Sequence, residues 1–305
     1  MKARLLLLSL FVTFQNPIWA DIDIDGQDIS QEIISKPTKR TPFSFNTHVD
    51  VVEKSKINKG FYKGDGISFA EAEVEAAMVV YYNPRYTEGL RASLSYSATY
   101  LHWGDNPCFD QDHFNIASIT LSGFSMRADD WFWRAQMTAN FDTDNWSGAY
   151  TSYDLILWGR YTLCNKFGVH FGFLAQTGLK MDRVYPILGF DWQITRDLKL
   201  SLVYPVDVAL IYTCTKNWSI GAAGRFFNSR FRVNKNEYSQ KPLVRYVNFG
   251  TELVVKYDND TMSANIHVGS VLRGIYRLAN RYNNHATNYY LNPSLYAGAE
   301  IDVKF

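Results

Sequence analysis

The chain has 305 residues, 16% of them aromatic, and a formal net charge of +1. With 31 basic residues against 30 acidic ones it lacks the basic footprint of a nucleic-acid binder. Beyond residue 20 no apolar run approaches the ~18 residues of a membrane-spanning helix. The best stretch, 198–212, is broken by Lys199, Ser201, Pro205 and Asp207.

The chain opens with a short positive region (Lys2, Arg4), an apolar run over 5–14, and Pro17-Ile18-Trp19-Ala20. This reads as a secretory signal cleaved between Ala20 and Asp21. Loss of Lys2 and Arg4 leaves 29 basic against 30 acidic residues, a net charge near −1. An exported, aromatic-rich chain without a helical span has two main options, a soluble β protein or a membrane-spanning β-barrel.

Residues 21–42 differ from all that follows. They lack aromatics, open with Asp21, Asp23, Asp25 and Asp28, and turn basic at Lys36, Lys39 and Arg40. The segment reads as a flexible periplasmic extension, with a short plug inside a pore as the alternative. Its start, "DIDIDGQDISQE", has calcium-loop spacing at Asp21, Asp23, Asp25, Gly26 and Glu32. Asp28 stands where such loops carry an apolar residue, however, and Ile29 offers no side-chain oxygen. Cleavage at Ala20 also leaves no entering helix. No metal or cofactor is expected.

From Phe43 onward, alternating runs predict fourteen strands: 43–53, 67–82, 90–103, 115–126, 131–142, 152–164, 167–178, 187–194, 198–204, 207–214, 218–233, 243–256, 262–276 and 294–305. Val74, Ala76, Met78 and Val80 oppose Glu71, Glu73 and Glu75. Trp133, Ala135, Met137, Ala139 and Phe141 oppose Arg134, Gln136, Thr138 and Asn140. A sandwich alternates too, but the linkers here run long, short, long, short. The long ones are 54–66, 104–114, 143–151, 234–242 and 277–293, and only "YPVD" at 204–207 breaks the trend. Tight periplasmic turns and larger outer loops are the mark of an outer-membrane barrel. Trp103, Trp131, Trp133 and Trp218 fall at strand ends and Trp192 lies close to one, as an aromatic girdle requires, whereas Trp158 sits mid-strand on the polar face.

The last ten residues, "YAGAEIDVKF", alternate strictly and end on Phe305. In hydrocarbon no backbone edge can stay open, so this strand must close on the first. Here the chain resembles bacterial outer-membrane β-barrels, whose terminal strand ends in Phe and is read by the barrel-assembly machinery. Ile301, Val303 and Phe305 match that signal, and Ala297 and Ala299 match it less well. The stretch "LSLVYPVDVALIYTCTKNWSIGAAG" at 200–224 resembles an uncharacterised family (a domain of unknown function) of such barrels, which implies a fold and a location but no activity. The expected architecture is all-β: a single antiparallel up-and-down transmembrane barrel of about 14 strands over 43–305. Its partners would be outer-membrane lipids and the assembly machinery, with no nucleic acid.

Charges on the lipid face cost about 2–4 kcal/mol each for Arg or Lys near the midplane. Glu71, Glu73, Glu75, Asp154, Asp191 and Glu252 should therefore line the lumen, together with Arg91, Arg134, Arg160, Arg225 and Arg273. A lumen of mixed sign suits a porin-like passive channel for small polar solutes. A non-conducting structural barrel, its charges paired and its interior filled, is the alternative. A lipid hydrolase is a third reading with little support: His267 and Ser270 are three apart and fall on opposite faces of a strand. Of Cys108, Cys164 and Cys214, at least one stays unpaired within a monomer. Cys164 and Cys214 fall four strands, about 19 Å, apart and cannot bond, while Cys108, in an outer loop, is the candidate for an intermolecular disulfide.

Overall fold

The computed structural model describes residues 42–305 apart from 129 and 206; the expected signal peptide, the expected cleavage between Ala20 and Asp21, and the expected extension up to residue 41 lie outside the described residues. The alternation in the sequence becomes a wall of long antiparallel strands: β1 (Phe43–Lys56), β2 (Gly66–Asn83), β3 (Glu88–Trp103), β4 (His113–Ser125), β5 (Trp131–Asp142), β6 (Thr151–Cys164), β7 (Phe167–Gly178), β8 (Arg183–Gln193), β9 (Leu198–Tyr204), β10 (Asp207–Thr213), β11 (Trp218–Arg232), β12 (Leu243–Asp258), β13 (Met262–Ala279), β14 (Thr287–Leu291) and β15 (Ser294–Lys304). Neighbours in sequence pair in space from β1 to β13, and β13 then pairs with β15. Strand β15 closes on β1, with Val303 opposite Phe45 and Ile301 opposite Thr47. Backbone bonds between Phe43 and Phe305 seal the joint in both directions. The terminal phenylalanine thus ends the closing strand, as its sequence pattern implied.

Fourteen strands make the barrel, the number expected. Most boundaries move by three residues or fewer, and three differences matter. The sequence pattern predicts one long linker over 277–293, whereas residues 287–291 form β14, which pairs with the outer end of β13. Strand β13 accordingly continues to Ala279. Strand β8 begins at Arg183, ahead of Pro186, rather than at 187. Its outer part pairs with β7, but pairing with β9 starts only at Leu188. Pro186 therefore occupies an edge, where proline is tolerated in a sheet. The turns at one end span two to five residues, while loops at the other reach 280–293.

Residues on the outer face are apolar and exposed: Leu94, Ile119, Met137, Leu155, Ile266 and Val268 among them. At the short-turn end, Trp131 stacks on Trp133 at 5.5 Å and Phe171 packs edge-on against both, forming a girdle patch. Trp192 and Trp218 are exposed as a girdle needs. Trp103 is not part of it. It points inward, 5% exposed, and packs on Tyr62, Tyr276 and Tyr289.

The wall is uneven in height. Strands β9 and β10 have 7 residues each, against 18 in β2 and β13. Strand β11 pairs with β10 only as far as Gly224, so, among the described residues, 225–232 pair on one side only, with β12. Above the short hairpin the outer halves of β11–β13 turn inward. Residues 227–231 and 243–246 are buried on both faces. One face meets the β1–β4 wall: Phe227 lies against Phe69, Tyr246 stacks on Phe69 at 4.6 Å, and Phe231 stacks on Phe114 at 4.5 Å. The other meets β6–β8: Arg230 bonds Asp154 at 2.9 Å, Arg232 lies over the Tyr150 ring, and Leu243 and Ala279 pack on Leu179 and Met181. The tucked sheet fills the outer half of the lumen on its own side.

Candidate functional site

Three kinds of surface line the interior. The first is the apolar core just described, centred on Phe69, Tyr246, Tyr276 and Tyr296. Sequence reading treated the lumen as polar throughout and missed it. The signal lay in "GRFFNSRFRV", where apolar and charged residues stop alternating because both faces are buried.

The second comprises two ionic networks of similar construction. In one, Asp50, Gly298 and His267 lie side by side across β1, β15 and β13. His267 Nε2 donates to Asp50 over the glycine at 2.6 Å, and Arg225 donates to Asp50 (3.2 Å) and to Glu252 (2.8 Å). The Tyr296 hydroxyl closes the set on Glu252 at 2.8 Å. In the other, Asp191 lies opposite Gly168 and receives His170 Nε2 at 2.5 Å and Arg160 at 2.9 and 3.0 Å. A glycine between the partners leaves the space: a Cβ at Gly168 would meet Asp191 Oδ1 at 2.6 Å. Trp158 is accounted for here. It stacks on His170 and packs against Phe132, Ile187 and Val203, so it fills the lumen and has no part in the girdle.

The third is a polar cavity of about 180 Å³. Strand β2 lines it with Glu71, Glu73 and Glu75, and β3 with Arg91, Ser93, Ser95 and Ser97. Strand β4 adds Ser118, Thr120 and Ser122, and β5 adds Arg134, Gln136, Thr138, Asn140 and Asp142. Ser152 and Asp154 of β6 and residues 229–232 of β11 add to it, and Ile116, Tyr150, Ile156, Leu174 and Leu179 supply an apolar part of the lining. On β5 every inward residue from 134 to 142 lines the space, so it runs over nearly the whole of a 12-residue strand. The acids stand mainly on β2; the bases stand on β3, β5 and β11. Arg91 reaches Glu75 at 3.4 Å, and Thr99 donates to Glu71 at 3.3 Å.

Six of the eleven residues expected in the lumen thus line one cavity: Glu71, Glu73, Glu75, Arg91, Arg134 and Asp154. Asp191, Arg160, Arg225 and Glu252 point inward but belong to the two networks. Arg273 is placed otherwise. An irregularity between Phe249 and Gly250 of β12 leaves Leu272 without an opposite residue and sets Arg273 beside Phe249, on the outer face. It is exposed and lies over the Tyr290 ring at 5.3 Å. Two lining arginines, Arg230 and Arg232, escaped sequence reading, because on a regular strand they would fall outside.

Among the described residues no cluster of His, Cys, Asp and Glu suits a metal ion. Ser270 donates to carbonyls of Val271 and Ser294, in a set of bonds separate from that of His267. The three cysteines are free: Cys164 and Cys214 are exposed at the short-turn end, while Cys108 is half-buried against the outer core.

A family model described as a domain of unknown function, DUF6268, matches residues 139–304. An uncharacterised protein of Chlamydia pneumoniae is 23% identical over 305 residues, covering 92% of each chain. Another, from Chlamydia trachomatis, is 23% identical over 208 residues, covering 64% of this chain and 63% of its own. Among solved structures, an outer-membrane channel of Pseudomonas putida F1 matches 87% of this chain and 96% of its own, at 7% identity and TM-score 0.47. The KdgM porin matches 86% and 99%, at 8% identity and TM-score 0.39.

Proposed function

The chain belongs to the DUF6268 family, and on that premise we propose that it is a porin-like passive channel for small polar solutes in the outer membrane of a Gram-negative-type bacterium. One observation carries the reading: a hydroxyl- and amide-lined cavity that follows β5 through nearly its full length. Side chains of this kind replace the hydrogen bonds that a hydrated solute gives up on entry, without the cost of burying an unmet polar group. The carboxylates on β2 and the guanidiniums on β3, β5 and β11 orient dipolar solutes across the passage.

The apolar exterior is the surface that lipid requires. Ile301, Val303 and Phe305 on the closing strand then serve as the signal for the assembly machinery. A non-conducting barrel would be filled throughout, as this one is on the β11–β15 side; the two readings part at the β2–β6 cavity. The test is single-channel recording of the refolded chain in a planar bilayer. Discrete steps that shrink when a bulky thiol reagent is attached at Ser95→Cys support the channel. Absence of steps in every salt overturns it.

A further inference from the structure

Arg273 stands on the outer face of the barrel, beside exposed Leu272. Two residues on, Ile275 lies opposite Tyr290 of β14. A bridge between Ile57 and Leu291 joins the end of β1 to β14, with Asn292 N donating to the Lys56 carbonyl at 2.8 Å and Asn58 N to that of Tyr290 at 2.7 Å. Ile57 and Leu291 are buried in the core, so alternation turns their neighbours Lys56 and Tyr290 outward. The chain continues to Lys59, whose ammonium lies 4.7 Å from the centre of the Tyr290 ring; the Arg273 guanidinium lies 5.3 Å from the same centre. Two cations thus share one ring on the outer face. The stem of Lys54 lies over Gly66, in the space that a Cβ there would take, and so stands close to Lys56, the residue paired with Gly66.

Over 53–65 the chain holds Lys54, Lys56, Lys59 and Lys63 against Glu53 and Asp65; with Arg273, five bases stand against two acids. The five bases are exposed, and among the described residues none of them pairs with a carboxylate. Toward the middle of the barrel the same wall turns apolar: Val51 of β1, Leu295 of β15, and Ile266 and Val268 of β13 are all exposed. The basic group therefore sits at the edge of the lipid-facing band, at the long-loop end that outer-membrane barrels turn to the cell exterior. At that level aromatic rings meet lipid headgroups, and an outward arginine, costly near the midplane, is tolerated.

We propose that Arg273, Lys56, Lys59 and Tyr290 form a binding site for the phosphate-bearing headgroup of a lipid in the outer leaflet. The guanidinium takes two phosphate oxygens through its fork, and the lysines add point charges. The acyl chains lie along Leu272, Leu295 and the apolar band beyond them. Tyr290 holds both long cationic side chains over its ring, which sets their spacing before the lipid arrives. A dissolved phosphate would meet these cations in open, salt-screened water. A lipid adds burial of its chains against the wall and holds its headgroup at this height. The site belongs to the outer face and does not depend on whether the lumen conducts.

The test is native mass spectrometry of the refolded full chain, released from neutral detergent micelles that hold dioleoyl phosphatidic acid or dioleoylglycerol. The two lipids share their chains and differ in the phosphate. The parent should retain phosphatidic acid several-fold more than the glycerolipid. Changing Lys56, Lys59 and Arg273 together to Gln should bring the two lipids close to parity. Changing Lys166, Arg196 and Lys216 to Gln removes the same charge from exposed short turns at the other rim and should leave the preference intact. Arg273→Lys, which keeps the charge and loses the fork, should retain less phosphatidic acid than the parent. Only protein that keeps its folded electrophoretic mobility is scored. Equal retention of the two lipids by the parent, equal loss in the two triple variants, an unmoved Arg273→Lys, or displacement of the lipid by equimolar inorganic phosphate overturns the proposal. Conductance plays no part in the readout, so failure here and failure of the channel are told apart.

Discussion

Gly298 gives the sharpest test of how the lumen is built. It lies between Asp50 and His267 in register, and the 2.6 Å bond between those side chains passes directly over it. A Cβ there would come within 2.5 Å of the Val49 carbonyl oxygen, and closer still to Asp50 Oδ1 and His267 Nε2. Since the carbonyl belongs to the backbone, the strands or the buried pair must move. Overpacking of this kind costs about 1–3 kcal/mol, and loss of a hydrogen bond to a charged group about 1.5–3 kcal/mol. Alanine recovers about 0.5–1 kcal/mol through its better fit to a strand. Gly298→Ala should therefore destabilise the barrel by about 2–5 kcal/mol. The control is Gly123→Ala, where the nearest atoms to a new Cβ lie at 3.7 and 3.8 Å and the change should be neutral or mildly stabilising. Urea unfolding of refolded protein in detergent, followed by tryptophan fluorescence, reads both. Equal midpoints for the two variants would refute the reasoning.

Trp158, 2% exposed and stacked on His170, should cost about 3–5 kcal/mol on change to Ala. Exposed Trp218 should cost much less in the same unfolding assay. Changing Glu71, Glu73 and Glu75 together to Gln should shift the reversal potential in a salt gradient toward anions; an unmoved potential would show that the β2 acids do not face the permeating ions. Cys108 should react with iodoacetamide several-fold more slowly at pH 8 than Cys164 and Cys214. Burial pushes its thiol up, with Lys241 opposing in part, so less thiolate is present. Equal labelling rates would show that the 104–112 loop does not shield it.

The barrel itself was legible because a lipid exterior enforces strict alternation. Strands β5 and β7 fall where the residues put them, since polar and apolar faces there meet different solvents. The acid ladder on β2 and the arginines of β3 and β5 followed from the same rule. Legibility failed where the surroundings stopped being two-sided. The tucked halves of β11–β13 are covered on both faces, so Arg230 and Arg232 line the cavity from positions that a regular strand would turn to lipid. The irregularity beside Gly250 moved Arg273 to the outer face, and no pattern in β13 announces it. Pairings such as Asp50 with His267, or Arg245 with Arg277, depend on the register of distant strands. The mid-strand glycines were the visible trace of the two networks, and their meaning appeared only once each was seen between its partners.

The central claim is a water-filled passage along β2–β6. Single-channel recording on the full chain addresses it most directly, with Ser95→Cys introduced as a reporter on the cavity wall. The account predicts discrete conductance steps that shrink on thiol modification. Silence in every electrolyte, or steps indifferent to a bulky group at position 95, would contradict it.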